Sequence, residues 1–458
     1  MHFFDLLFIF GFLPITLLLT FLEKSCEYKN FILVLTSVVF FVWGRPFVLT
    51  LIFLSIVFDY VFARICEKSQ DNVIRHLALA ADFVINISCF VFFAWNKLFV
   101  NIEALSLSEK LIPLGIAFYS VRGFSYVYDV YKKNIPAEKN IFYLMTYMIN
   151  FHLMIVGPIV RYGDISKQLR SRHINSQKLS EGFTKFIIGL SKIIIIVPVC
   201  SMLKAEGLDA NCLTVTGSWI GMVAFIGEFV YGWSGFTDMA IGLGKMNGFD
   251  YPQNFLAWKP SECVLGAVKS FNATLVKFAG EVLVKPFRDR NYKLQMCMGI
   301  LWCGVALGAW YSLKWNYIIA GLVLAVFIIF EKLFLKKLFE KIMPLFSAIY
   351  TSAVIFVVFG ILNFNVQSDF SRWFKGLFGV GTVSFWNTDL NRLIERFIFV
   401  IIVIIVMSVP YSRDKSVKLV NKVVEKSDTA FAVISIVRTV VLCLLLLACT
   451  ASIGNMSV

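Results

Sequence analysis

Seven ionisable side chains sit inside stretches that are otherwise apolar: Asp59, Asp82, Arg122, Asp129, Glu228, Asp238 and Arg438. In a medium without water each of these needs a partner or a function, so each is a candidate for binding or proton transfer, or for mutual pairing. Arg161, in "GPIVRYGDI", has the fork of donors that suits a phosphate or a carboxylate, or it snorkels to a membrane rim. Asp238 lies with Ser234 and Thr237 in "YGWSGFTDMAIGLGKMNG", a polar cluster that reads as a hydrogen-bond network or a binding patch. His152, in "NFHLMIVGP", places an imidazole beside a Gly-Pro break, and imidazole is the side chain best matched to general-base work near neutral pH. A helix broken inside a membrane leaves backbone groups unpaired, so that break must line protein or a water cavity. The other histidines (His2, His76, His173) are scattered, and none of the ten cysteines forms a Cys-x-x-Cys. Metal and disulfide chemistry are therefore not expected.

The elements that carry these residues are set by composition. Of 458 residues, 59% are hydrophobic and 16% charged, mean hydropathy is +0.77, and phenylalanine alone occurs 47 times. No soluble fold buries that much apolar surface, and disorder needs the opposite balance. The chain reads as an all-α integral membrane protein of one domain, residues 1–458, with membrane lipid as its solvent. Apolar runs cover 3–21, 31–43, 48–62, 77–100, 111–128, 143–159, 183–203, 219–235, 295–313, 315–330, 345–364, 397–409 and 430–453. Several fall short of the ~20 residues a span requires, so 10 to 13 membrane segments are expected, some of them re-entrant or interfacial. The first run carries Asp5 and no basic leader and reads as a retained span. The net charge of +14 comes from Lys and Arg between apolar runs, the placement of the positive-inside rule rather than of a nucleic-acid surface. The basic loops are 132–139, 161–178, 285–293, 332–341 and 413–426.

Two stretches resemble a known family. "PLGIAFYSVRGFSYVYDVYKK" with "NFHLMIVGPIVRYGDISKQL", and "FVYGWSGFTDMAIGLGKMNGFDYPQNF", are similar to bacterial membrane-bound O-acyltransferases, in the branch that acetylates alginate and related exopolysaccharides. The opening, "LLFIFGFLPITLLL" and "FFVWGRPFVLTLIFLSIVFDYVFAR", and residues 358–379 resemble it too. The resemblance implies a polytopic helix bundle around a central tunnel in the bacterial inner membrane. It also implies an acyl donor such as acetyl-CoA taken as substrate, no bound cofactor, and an acyl-relay protein or polysaccharide hydroxyl as acceptor. An intramembrane His is the base in such a mechanism. At the position of that His this chain has Cys303, in "ILWCGV", and at a second position, where a His or Asn orients the reactants in the family, it has Asn272, in "KSFNATL".

The resemblance places Asn272 and Cys303 as catalytic candidates; the residues themselves add His152, beside the broken helix, and offer Arg161, Asp238, Ser234 and Arg122 for substrate. Cys303 could carry an acyl group as a thioester, but its apolar neighbours favour a packed, inert thiol. Three functions follow: an acyltransferase with an altered site, an inactive relative that acts as scaffold or regulator, and a transporter. The ionisable residues are too few and scattered for the polar path a transporter needs.

Overall fold

The structure is a computed structural model that describes residues 3–43, 46–99, 115–153, 156–209, 213–256, 258, 263–288, 292–335, 344–364, 366–381, 384–386, 388–408 and 428–456. The basic loop 413–426, most of 332–341 and part of 285–293 lie outside these residues. Among the described residues every named element is helical, and the sole β feature is an isolated bridge between Thr214 and Ser384.

In chain order the helices are α1 (Phe8–Phe21), α2 (Cys26–Val42), α3 (Pro46–Lys68), α4 (Asn72–Phe99), α5 (Ile116–Tyr131), α6 (Ile141–Met148), α7 (Tyr162–Arg170), α8 (Ser176–Gly207) and α9 (Val215–Met246). Then follow α10 (Cys263–Ser270), α11 (Ala273–Ala279), α12 (Lys293–Tyr311), α13 (Trp315–Leu335), α14 (Pro344–Asn363), α15 (Gln367–Gly376), α16 (Thr388–Arg396), α17 (Ile398–Ser408) and α18 (Asp428–Met456). Six of the described helices are long and apolar enough to cross a bilayer: α8, α9, α12, α13, α14 from Phe346, and α18 over 432–454. The chain is a multi-pass membrane protein.

Local chemistry sets the helix ends. Pro46 stands at a helix start, where a missing N–H costs nothing, whereas Pro14 lies inside α1 just after a π-turn over Phe8–Phe12. Asn140 caps α6 by accepting from the Phe142 N–H at 2.9 Å. Inside α8 the ladder widens to a π-turn over Lys192–Ile196, directly before Pro198, whose ring cannot continue regular α bonding. Gly248, at φ +86°, ends α9 in the left-handed conformation.

One expected segment is different. The run 143–159 is not a span: α6 has eight residues, a 3-10 turn covers Phe151–Leu153, and residues 156–161 are irregular. The Asn150 side chain accepts from the His152 N–H at 3.1 Å, and the Phe151 N–H donates to Ser37 Oγ at 3.1 Å. These bonds replace the helix ladder.

Contacts divide the chain into two compact units. Unit 1 is residues 1–188, 236–253 and 453–458; unit 2 is 189–235 and 254–452. In unit 1, α3, α4 and α5 pack together, and a phenylalanine cluster (Phe8, Phe12, Phe40, Phe151) fills the space beside α2. In unit 2, α10, α12, α13 and α14 enclose Val264, Ile300, Ala325, Ile328 and Val354. There α12 and α13 touch through backbone: a Cβ on Gly304 would stand 2.4 Å from Gly321 O, and one on Gly308 2.4 Å from Tyr317 O. Small residues four apart allow this approach, which in lipid supplies the packing that the hydrophobic effect cannot.

Candidate functional site

The candidate residues fall into two centres, one in each unit. In unit 1 the centre is His152, which is fully buried on its 3-10 turn. Its Nε2 lies 3.1 Å from Asn247 Nδ2, and its Nδ1 lies 3.4 Å from the Tyr251 hydroxyl. Asn247 Nδ2 also donates to Leu243 O at 3.0 Å, which sets the amide's orientation. Nε2 is then the acceptor, so a neutral imidazole carries its proton on Nδ1, facing Tyr251. Tyr251 accepts from Asn150 Nδ2 at 2.8 Å. Its ring rests against Gly244, where a Cβ would come within 2.1 Å of the ring, so glycine alone fits at that position.

Arg172 closes the network from behind. Its Nε donates to Asn247 O at 3.1 Å, a terminal nitrogen donates to Asn30 Oδ1, and the guanidinium stands 4.3 Å from the Phe249 ring centre. Asn30 Nδ2 in turn reaches Leu169 O at 2.7 Å. Asn247 and Tyr251 thus meet the imidazole, and Arg172 and Asn30 hold Asn247 in place.

In unit 2 the centre is Asn272, fully buried at the start of α11 with φ +50°, a left-handed conformation that asparagine tolerates better than most residues. Its Oδ1 accepts from Asn254 Nδ2 at 2.9 Å, and its Nδ2 donates to the Tyr311 hydroxyl at 3.0 Å. Asn254 Oδ1 is used as well, by the Thr274 N–H at 3.1 Å and its hydroxyl at 2.7 Å. Around this amide chain stand rings: Phe229 stacks on Phe271 at 5.7 Å, Trp233 meets Tyr311 edge-on at 5.0 Å, and Phe255 meets Phe271 at 4.9 Å.

Cys303 is half-buried in the middle of α12, beside the Gly304 contact, and among the described residues its thiol has no hydrogen-bond partner. A nucleophilic thiolate needs a cation or a helix N-terminus. Cys303 sits turns away from the start of α12, so the helix offers it no such end.

The substrate candidates are engaged. Arg161 grips Asp129 through two nitrogens, at 2.9 and 2.5 Å, and Asn134 donates to the same carboxylate at 3.0 Å. Arg122 is buried, donates to Met148 O and stands 5.4 Å from the Tyr147 ring centre. Asp238 pairs with Lys185 at 3.1 Å, and Lys185 also reaches Gln253 Oε1 at 2.8 Å. Ser234 lies 3.3 Å from Lys192 Nζ. Asp238 and Ser234 thus have separate lysine partners rather than forming one cluster. The glycines around them serve helix contact: Cβ atoms on Gly235 and Gly242 would lie 3.0 and 2.7 Å from Gly189 O and Gly182 O of α8. The helix α9 runs unbroken through them.

Sequence reasoning missed Asn150, Asn247, Tyr251, Asn254 and Tyr311 as members of these centres. The available signal was position: Asn247, Tyr251 and Asn254 all fall in "GKMNGFDYPQNF", and Asn150 is two residues from His152.

No family model matches the chain. Several curated proteins are similar to it. The probable alginate O-acetylase AlgI of Pseudomonas syringae pv. tomato is 27% identical over 331 residues, 67% of this chain and 64% of that protein. The probable alginate O-acetylase AlgI of Pseudomonas aeruginosa is 26% identical over 400 residues, 84% of this chain and 76% of that protein. The peptidoglycan O-acetyltransferase of Helicobacter pylori is 26% identical over 355 residues, 69% of this chain and 67% of that protein. For the first of these the match spans slightly less than two thirds of the relative's own length. In its motifs and over most of its length the chain is thus similar to bacterial alginate and peptidoglycan O-acetyltransferases.

Proposed function

We propose that this protein acts in O-acylation of a bacterial polysaccharide at the inner membrane. In this reading it passes an acetyl group from a cytoplasmic donor such as acetyl-CoA to an acceptor hydroxyl or a relay protein on the other side. The observation that carries the reading is the likeness to O-acetyltransferases over as much as 84% of the chain. His152 supports it chemically, because a hydroxyl is a weak nucleophile at neutral pH and needs a positioned imidazole or its equivalent. In this reading Asn247 and Tyr251 orient the ring, and Asn272 with Tyr311 supplies polar groups inside an aromatic wall. No bound cofactor is required.

A second reading, an inactive relative that holds a partner in a polysaccharide-modification complex, is favoured by Asn272 and Cys303 specifically. An amide cannot take a proton near pH 7. Cys303, for its part, lacks a hydrogen bond to activate it.

The test is the O-acetyl content of the host's extracellular polysaccharide in a strain lacking the gene. The strain is complemented with wild type or with His152→Ala, Asn272→Ala and Cys303→Ala together. Acetyl content that needs the gene, and that the membrane-inserted triple variant fails to restore, is the result expected for the enzyme. Restoration by the triple variant would sink catalysis by these residues and leave the scaffold.

A further inference from the structure

Away from both centres, the α3–α4–α5 trio of unit 1 holds two carboxylates that, among the described residues, have no cation paired with them. Asp59 of α3 and Asp82 of α4 are both fully buried. A single amide bridges them: Asn86 Nδ2 donates to Asp59 Oδ1 at 3.0 Å and lies 3.4 Å from Asp82 Oδ1. The shared amide brings the two carboxyl groups together between α3 and α4. Asp59 Oδ2, Asp82 Oδ2 and Asn86 Oδ1 are buried and accept no hydrogen bond, although asparagine is not acidic and has no reason of charge to be left so. Two of these oxygens converge on the α5 backbone: a Cβ on Gly123 would stand 2.6 Å from Asp59 Oδ2 and 3.0 Å from Asn86 Oδ1.

Two carboxylates on one amide, sealed from water, cannot both stay ionised. A metal ion fits poorly here, because hard cations take six or more oxygens and the Gly123 backbone closes the space. Among the described residues no cluster of metal-ligating side chains occurs. We infer that Asp59 and Asp82 form a proton-binding site that holds one proton between them and locks α3 to α4 beneath Gly123. The charged and titratable groups on the packed elements have other engagements. Cys66 of α3 is near Arg75 of α4, which donates to Cys66 O at 3.1 Å and to Tyr131 O. On α5, Tyr126 accepts from the Glu138 N–H at 2.9 Å, and Arg122 turns to Met148 O. From α6, Tyr147 stands over Arg122, and α2 carries its ionisable groups in its first turn.

The test is thermal unfolding of the purified full-length protein in detergent from pH 5 to pH 9, followed by tryptophan fluorescence. A proton held only by the folded state makes stability fall as pH rises, by tenfold in the unfolding constant per pH unit. Wild type is expected to show that slope. Asp82→Asn and Asp59→Asn should each flatten it, because an amide carries its hydrogen covalently at every pH. Equal slopes in wild type and both variants would overturn the proposal. So would a melting point of wild type that rises with sodium but not with a large organic cation, the mark of a metal site. Should neither variant fold, infrared spectra of wild type labelled with carbon-13 aspartate decide. A protonated aspartate carbonyl band at pH 7 supports the site, and its absence overturns it.

Discussion

The two centres differ in what surrounds the candidate side chain. At His152 the polar neighbours are already bonded: Asn150, Asn247, Tyr251, Arg172 and Asn30 form one connected network, with the Phe151 ring against the imidazole at 4.3 Å. At Asn272 one thread of three side chains, Asn254, Asn272 and Tyr311, runs through a wall of phenylalanine and tryptophan. The first centre resists the loss of any member, because each loss strands several buried groups. The second depends on one residue's backbone conformation and two bonds. An imidazole has a defined tautomer in the first, whereas the second holds an amide that cannot take up a proton.

The comparison breaks if the first network is not under strict mutual constraint. Arg172→Ala would strand Asn30 Oδ1 and Asn247 O and remove the cation over Phe249. Each stranded buried group costs about 1–3 kcal/mol, so a loss of about 4 kcal/mol is expected. It is read as a fall in the melting temperature of the purified protein. Arg172→Lys should recover part of it, since an ammonium reaches one acceptor but cannot fork. A melting point unchanged in Arg172→Ala would show that the network is ornamental.

The matching test in unit 2 uses φ. Asn272→Ala forces alanine into the left-handed region, at a cost of roughly 1–2 kcal/mol, and strands Asn254 Nδ2 and Tyr311. A total of about 3 kcal/mol is expected. Asn272→Gly loses the same bonds without the strain and should be about 1 kcal/mol more stable than the alanine variant. Equal stabilities would place the whole cost in the hydrogen bonds. Asn272→His sharpens the comparison further, by placing an imidazole where the resemblance expects one. A rise in O-acetyl content in that strain would show that the amide at this position limits activity.

Tyr251→Phe is milder. It strands Asn150 Nδ2 and, across a longer 3.4 Å contact, the His152 Nδ1 proton, and it leaves the ring against Gly244 in place. The expected loss is about 2 kcal/mol, the low end for two unsatisfied buried donors, because one of the two bonds is long. Acetyl content should also fall if Tyr251 orients the imidazole.

These effects show what the sequence could reveal. Helices were legible wherever an apolar run stood between charged loops: the runs 183–203, 295–313 and 345–364 return as α8, α12 and α14 with ends shifted by a few residues. The run 143–159 was not, because two side-chain bonds, from Asn150 and to Ser37, outweigh its apolar composition. The glycines of α9 left tight contact and a re-entrant turn open, since the choice depends on Gly182 and Gly189 of another helix. His152 was visible as an imidazole beside a break. Its partners were not, because Asn247 and Tyr251 lie 95 and 99 residues further on, and no local periodicity links them.

The smallest expected effect is at Cys303, and it bears most directly on whether unit 2 does chemistry of its own. The thiol is half-buried among apolar side chains of α12, with no hydrogen bond among the described residues. As a packed group it should tolerate Cys303→Ala at a cost below about 1.5 kcal/mol, the price of a small void in a wall that does not need the sulfur. Its reaction with a soluble maleimide should be slow in the folded protein and rapid only after unfolding. A functional thiolate would behave in the opposite way. It would alkylate quickly in the native state, and alkylation or Cys303→Ala would abolish acetyl transfer while leaving the melting temperature unchanged. The two measurements separate packing from chemistry, because a packing defect moves stability first and a lost nucleophile moves activity alone. Slow labelling with acetylation intact would leave His152, in unit 1, as the one imidazole of the three, and burial together with the Arg172 charge pushes its pKa down to about 3, so it acts as a neutral hydrogen-bonding ring at neutral pH.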